Sequence, residues 1–139
     1  MPSAEIGPGG SEREASRRES DKPSTPLADT QWRLVELGGV EIVTTPPERP
    51  FTLAFSPEGT RIAGAAGCNS YRGTFSDYAG LLHLNPIAVP MVGCSDVGAD
   101  RQAKFVAMLR SADGYKIEDE LLVLTNGGKT VAKFRNIGE

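Results

Sequence analysis

The constraint that acts first on this chain is a period of two. In the run from Phe51 to Ser56 the large apolar residues Phe51, Leu53 and Phe55 occupy alternate positions. An extended backbone places such residues on one face and leaves Thr52 and Ala54 on the other, so the run predicts a half-buried strand. Ser56-Pro57-Glu58-Gly59 follows, with Pro second and Gly fourth, as a type I turn prefers. The segment from Arg61 to Gly67 is therefore expected to return antiparallel as a hairpin.

The same alternation recurs along the chain. Trp32, Leu34 and Glu36 oppose Arg33, Val35 and Leu37 before a turn at Gly38-Gly39, and a short run to Val43 precedes the breaker Thr45-Pro46-Pro47. Asn69, Tyr71, Gly73 and Phe75 share one face while Ser70, Arg72 and Thr74 share the other. After a turn at Asp77 to Gly80, Leu82 and Leu84 face inward and His83 outward. From Tyr115 to Asn136 the pattern gives three short strands, with turns at Glu118 to Glu120 and at Asn126-Gly127-Gly128.

One stretch has a different period. Phe105, Met108, Leu109 and Ala112 fall at i, i+3, i+4 and i+7, the apolar stripe of a helix. Ser95 or Asp96 can cap its start, and Asp113-Gly114 stops it. Gly64, Gly67 and Gly73 remove side chains where a sheet bends or another backbone approaches, which suits a sheet coiling toward a barrel. The expected class is α+β: a strongly curved antiparallel β-sheet, an incomplete barrel, with one main α-helix.

At 139 residues there is room for one domain. Met1–Ala28 mixes both charge signs with Pro, Ser and Gly and holds almost nothing to bury, so it cannot offset its ordering entropy. It is expected to be a disordered tail or tether, with the folded domain at 29–139. A net charge of -3 and a pI near 5.2 offer no basic face for phosphate backbones, so nucleic acid is not an expected partner. No apolar run reaches the roughly 20 residues of a membrane-spanning helix. The residues from Met1 onward do not read as a secretory signal.

Catalytic signatures are equally sparse. His83 is the single histidine, and its outward position between Leu82 and Leu84 reads as a solvated strand residue. There is no G-x-S-x-G elbow, no Gly-rich phosphate loop and no carboxylate-rich metal motif. Two cysteines and one histidine lack the spacing of a zinc site, and Cys-x-x-Cys is absent. The sequence predicts no enzyme, no cofactor and no metal.

A set of blocks in fixed order adds a resemblance. The opening Trp32 strand is followed by the block from Gly64 to Gly73 that contains Cys68, Asn69, Tyr71 and Arg72. Then come Met91-Val92-Gly93-Cys94, the helix carrying Phe105 and Leu109, and the closing run from Leu121 to Gly128. From about Trp32 to Phe134 the chain resembles the META/HslJ domain family. Two features depart from the family's habit: Val89 and Pro90 stand where threonines are frequent before the second cysteine, and Gln102 where a glutamate often opens the helix. The resemblance implies a curled antiparallel sheet with a packed helix and a stress-linked setting in the cell envelope. It brings no reaction with it.

On that footing the expected function is a non-enzymatic, stress-linked envelope module that binds a protein or envelope component. The alternative is a small-molecule binding protein that uses a cleft of the curved sheet. An envelope address, periplasmic, secreted or lipoprotein-anchored, implies a signal segment upstream of Met1, with a lipid anchor in the lipoprotein case; a cytoplasmic setting is the other reading. Cys68 and Cys94 lie in the two most family-like blocks, and two readings stay open for them. In an oxidising compartment they form a disulfide, and otherwise they pack as small buried thiols. Asn69 is expected to bond the backbone of a neighbouring turn or, secondly, a ligand. Tyr71 is expected in the core and Arg72 toward solvent or a partner, so Asn69, Tyr71 and Arg72 are the candidate contact residues.

Overall fold

The computed structural model of the protein describes residues 25–44, 49–87 and 94–138. Among the described residues nine strands appear in chain order: β1 (Gln31–Leu37), β2 (Val40–Glu41), β3 (Thr52–Phe55), β4 (Arg61–Ala65), β5 (Ser70–Tyr78), β6 (Leu81–Pro86), β7 (Gly114–Glu118), β8 (Leu121–Asn126) and β9 (Lys129–Asn136). A helix, α1 (Asp96–Ser111), lies between β6 and β7. The strands form one antiparallel sheet in the order β2-β1-β3-β4-β5-β6-β7-β8-β9, and a further pairing of β1 with β9 turns it into a ring. The ring is thinnest between β6 and β7, which pair at Leu81 and Gly114.

Period-two patterning decides which face each residue takes. Trp32 and Leu34, Phe51, Leu53 and Phe55, Tyr71 and Phe75, and Leu82 and Leu84 are all buried, whereas Arg72, Thr74 and His83 are exposed. Sharp curvature depends on two glycines. A Cβ on Gly64 would stand 2.2 Å from the carbonyl oxygen of Thr52, and one on Gly73 would stand 2.2 Å from that of Asn85. Neighbouring strands approach so closely at these rungs that no side chain fits.

Helix α1 begins at Ser95, whose hydroxyl accepts from the Gly98 amide at 3.0 Å, and Asp96 and Arg110 complement its two ends. Its buried stripe places Phe105 against three rings, with centroids 5.1 Å from Phe51, 5.7 Å from Tyr71 and 6.3 Å from Phe134. One side chain thus joins residues from distant parts of the ring, and burying it contributes about 2 to 3 kcal/mol. The expected helix and curved sheet are both present.

The boundary expected after Ala28 falls too late. Leu27 is fully buried, and its turn is tied down by Asp29 N–H donating to Phe55 O at 3.1 Å. The Thr30 hydroxyl bonds Leu27 O, and Trp32 Nε1 donates to that hydroxyl at 2.8 Å. A single leucine between Pro26 and Ala28 carries no period, so only tertiary packing reveals it. Residues 1–24 of the expected tail, the breaker at Thr45-Pro46-Pro47 and the stretch containing Val89, Pro90, Met91, Val92 and Gly93 lie outside the described residues. Two turns are tighter than expected: β5 continues through Asp77 to Tyr78 before turning at Ala79-Gly80, and β7 turns at Asp119-Glu120.

Candidate functional site

The family blocks converge at one end of β5. The turn after β4 brings Cys68 beside Cys94, just ahead of the α1 cap, with their Cα atoms 5.6 Å apart and their sulfurs joined in a disulfide. That separation lies inside the range a disulfide requires. Both cysteines of the chain are therefore used here. Arg49 fastens the same turn from outside, donating to Gly67 O at 3.2 Å and to Cys68 O at 3.0 Å.

Asn69 does something neither expectation described. Its side-chain amide donates to the Gln102 Oε1 at 3.2 Å and points at the sulfur of Cys94 at 3.3 Å. Its own carbonyl accepts from Ala66 N–H at 2.7 Å, which closes the turn through the backbone alone. Gln102 is 1% exposed and is the buried polar residue among those described. A buried amide must be hydrogen-bonded to avoid its desolvation penalty, and Asn69 supplies part of that requirement. Sequence reasoning named Gln102 as a family departure and missed its place in this cluster. The signal was present, since Gln102 lies three residues before Phe105 and extends the apolar stripe by one turn.

Tyr71 is not available as a contact residue. It is 5% exposed, packs edge-on against Phe105, and donates its hydroxyl to Thr52 O at 2.7 Å. Burial pushes its phenol above the ordinary range. The expectation that it fills the core holds, and with its hydroxyl bonded to Thr52 O it is not placed to meet the ligand or partner also expected of it.

Arg72 faces outward. Register pairs carry one row of outer-face residues around the ring: Gln31 opposite Ala54, Ala54 opposite Ala63, and Ala63 opposite Arg72. Ile87 extends the row, donating its N–H to Arg72 O at 2.8 Å. Because Ala54 and Ala63 are small, the outer face is recessed there, as a groove of about 810 Å³ with Arg61, Arg72, Pro57 and Ile87 along its walls. Arg61 is held in an exposed ion pair with Glu58 at 2.8 Å. Among the described residues the Arg72 guanidinium has no hydrogen-bond or ion-pair partner. His83 is also on the outer face, opposite Ser76. No group of three or more His, Cys, Asp or Glu that could hold a metal occurs among the described residues, and none of their helices is long and apolar enough to cross a membrane.

Solved structures share this architecture. A protein from Burkholderia xenovorans solved by NMR is 19% identical, superposes with a TM-score of 0.63, and aligns over 88% of this chain and 99% of its own. A DUF4847 family protein from Bacteroides vulgatus, a crystal structure, is 16% identical with a TM-score of 0.58, over 82% of this chain and 96% of its own. At such identities the likeness establishes the fold and nothing finer. No curated protein matches the chain. The META domain model, in contrast, matches residues 25–137. That span opens at the turn that buries Leu27 and ends where β9 closes on β1, so the chain belongs to the META domain family.

Proposed function

We propose that this META domain is a non-catalytic binding module of the cell envelope, active in a stress-linked setting, and that its outer face around Arg72 meets a protein or envelope component. The observation that carries the reading is where the recess lies. The described side chains of the inner face pack against one another and Phe105, whereas the groove over Ala54 and Ala63 opens outward beside the Arg72 guanidinium, which has no partner among the described residues. Arginine beside an apolar floor is a common anchor in protein interfaces. The envelope address is supported by the Cys68–Cys94 bridge, because disulfides persist in oxidising compartments and are rare in the cytosol.

A photoreactive side chain at Ala63 tests the surface directly. In envelope-localised protein it is expected to give a discrete adduct that Arg72→Glu removes. A probe at the exposed Ala107 of α1 is expected to give none. Equal adducts from both positions, or none from Ala63, would count against the outer groove. Thiol titration of protein from its native compartment tests the address, and two free thiols there would reverse it.

A further inference from the structure

A second recess, of about 470 Å³, lies where the outer face of the β5–β6 hairpin meets the last turn of α1. Thr74 is opposite Asn85 and Ser76 opposite His83, so two successive outward rungs present four polar side chains in a square. Outward neighbours along a strand are about 7 Å apart and opposite residues about 5 Å, close enough for one small ligand to touch all four. Arg110 forms the side wall, with its guanidinium anchored by one hydrogen bond to Pro86 O at 3.4 Å and its other N–H groups unoccupied by described residues. Eighteen of the 139 residues are Asp or Glu, yet none lines this recess.

We propose that this recess binds the phosphate of a phosphate-bearing molecule. Two hydroxyls, a carboxamide, an imidazole and a guanidinium fork offer more donors than the two oxygens of a carboxylate can accept, and phosphate has the oxygens to use them. The volume exceeds inorganic phosphate alone, which leaves room for the group esterified to it, either a soluble metabolite or a lipid headgroup. The inference goes beyond the Arg72 groove and does not depend on it, although Thr74 borders both recesses.

Amide resonances of the full chain are followed while inorganic phosphate is added, and separately while vesicles of phosphatidylcholine with phosphatidic acid are added, against phosphatidylcholine alone. The expected result is saturable shifts centred on Thr74, Ser76, His83 and Asn85, weakened about tenfold in Arg110→Gln, as loss of a charge-assisted hydrogen bond implies. Response to inorganic phosphate alone assigns a soluble ester, and response to both probes assigns a lipid headgroup. Ser76→Asp places a carboxylate in the recess from an exposed position and is expected to abolish the response, which keeps the test intact if Arg110→Gln misfolds. Silence toward both probes, shifts spread over every basic residue, binding undiminished in Arg110→Gln, or binding that survives Ser76→Asp would overturn the proposal.

Discussion

The two ends of β5 are closed by different means. At its start the Cys68–Cys94 bridge clamps the ring to the head of α1, with Asn69 and Gln102 paired beside it. About 30 Å away, at nine residues of strand rise, the other end is closed without a covalent bond. There Asp77 accepts the Thr25 hydroxyl at 2.6 Å and the Tyr115 hydroxyl at 2.5 Å, which pins the entering chain over the ring and seats Leu27 beneath it. A curved sheet leaves an opening at each end. This one uses a helix and a cross-link for the first opening and its own entering segment for the second.

The comparison implies that the unbridged end is not the weaker one. Leu27→Ala removes a fully buried side chain and is expected to cost roughly 2 to 5 kcal/mol in a urea unfolding curve. A loss under half a kcal/mol would mean that the second opening needs no plug. At the bridged end, Cys68→Ala combined with Cys94→Ala frees a loop of 26 residues in the unfolded chain. The expected loss is about 3 kcal/mol, or a Tm lower by roughly 10 °C, checked by calorimetry. Because the sites lie far apart with no shared partner, the losses should add to within about 0.5 kcal/mol when combined. A larger discrepancy would show that the two closures are coupled through β5. A smaller effect, roughly 1 to 3 kcal/mol, is expected for Gln102→Leu, which keeps the volume but leaves the Asn69 amide without its oxygen partner. Restoration by Asn69→Leu in the same chain would locate that loss in the pair.

How much of this was legible beforehand depends on whether an element announces itself by a period. Phe51, Leu53 and Phe55, Tyr71 and Phe75, and Leu82 and Leu84 took the predicted faces because a strand with one buried side has no freedom to slip by one residue. The α1 stripe was readable for the same reason at a period of 3.6. The β1–β9 pairing that turns the sheet into a ring was not, since register between strands a hundred residues apart leaves no local mark. Leu27 was missed because it is one residue and a period needs several. The candidate site divides along the same line. Arg72 and His83 went outward as alternation required, whereas the Asn69–Gln102 contact joins a turn to a helix and could be seen only once both were placed. Asp77 had been assigned to a turn, and nothing in its neighbours reveals that it collects hydroxyls from Thr25 and Tyr115.

Asp77 also gives the smallest and most local test of the comparison. The Tyr115 phenol is pushed up to about 12, first by partial burial and then by its hydrogen bond to Asp77 and the charge that carboxylate carries. In the unfolded chain the phenol titrates near its ordinary value of about 10. Between those values the unfolded chain has lost the proton and the folded one keeps it, so the unfolded state binds fewer protons and stability falls as pH rises. The contribution is complete below pH 10 and is lost as pH rises through about 12. Tyr115→Phe should therefore flatten the decline in urea midpoint between pH 10 and pH 12. At neutral pH it should cost about 1 kcal/mol or less, for one lost hydrogen bond at a partly exposed position. The wild-type slope that remains in the variant belongs to Tyr71, whose phenol is raised by burial at the other end of β5 and has no carboxylate against it. An identical slope in both proteins would show that the Tyr115–Asp77 bond does not hold the second opening closed, which leaves that task to Leu27 and the Thr25–Asp77 bond.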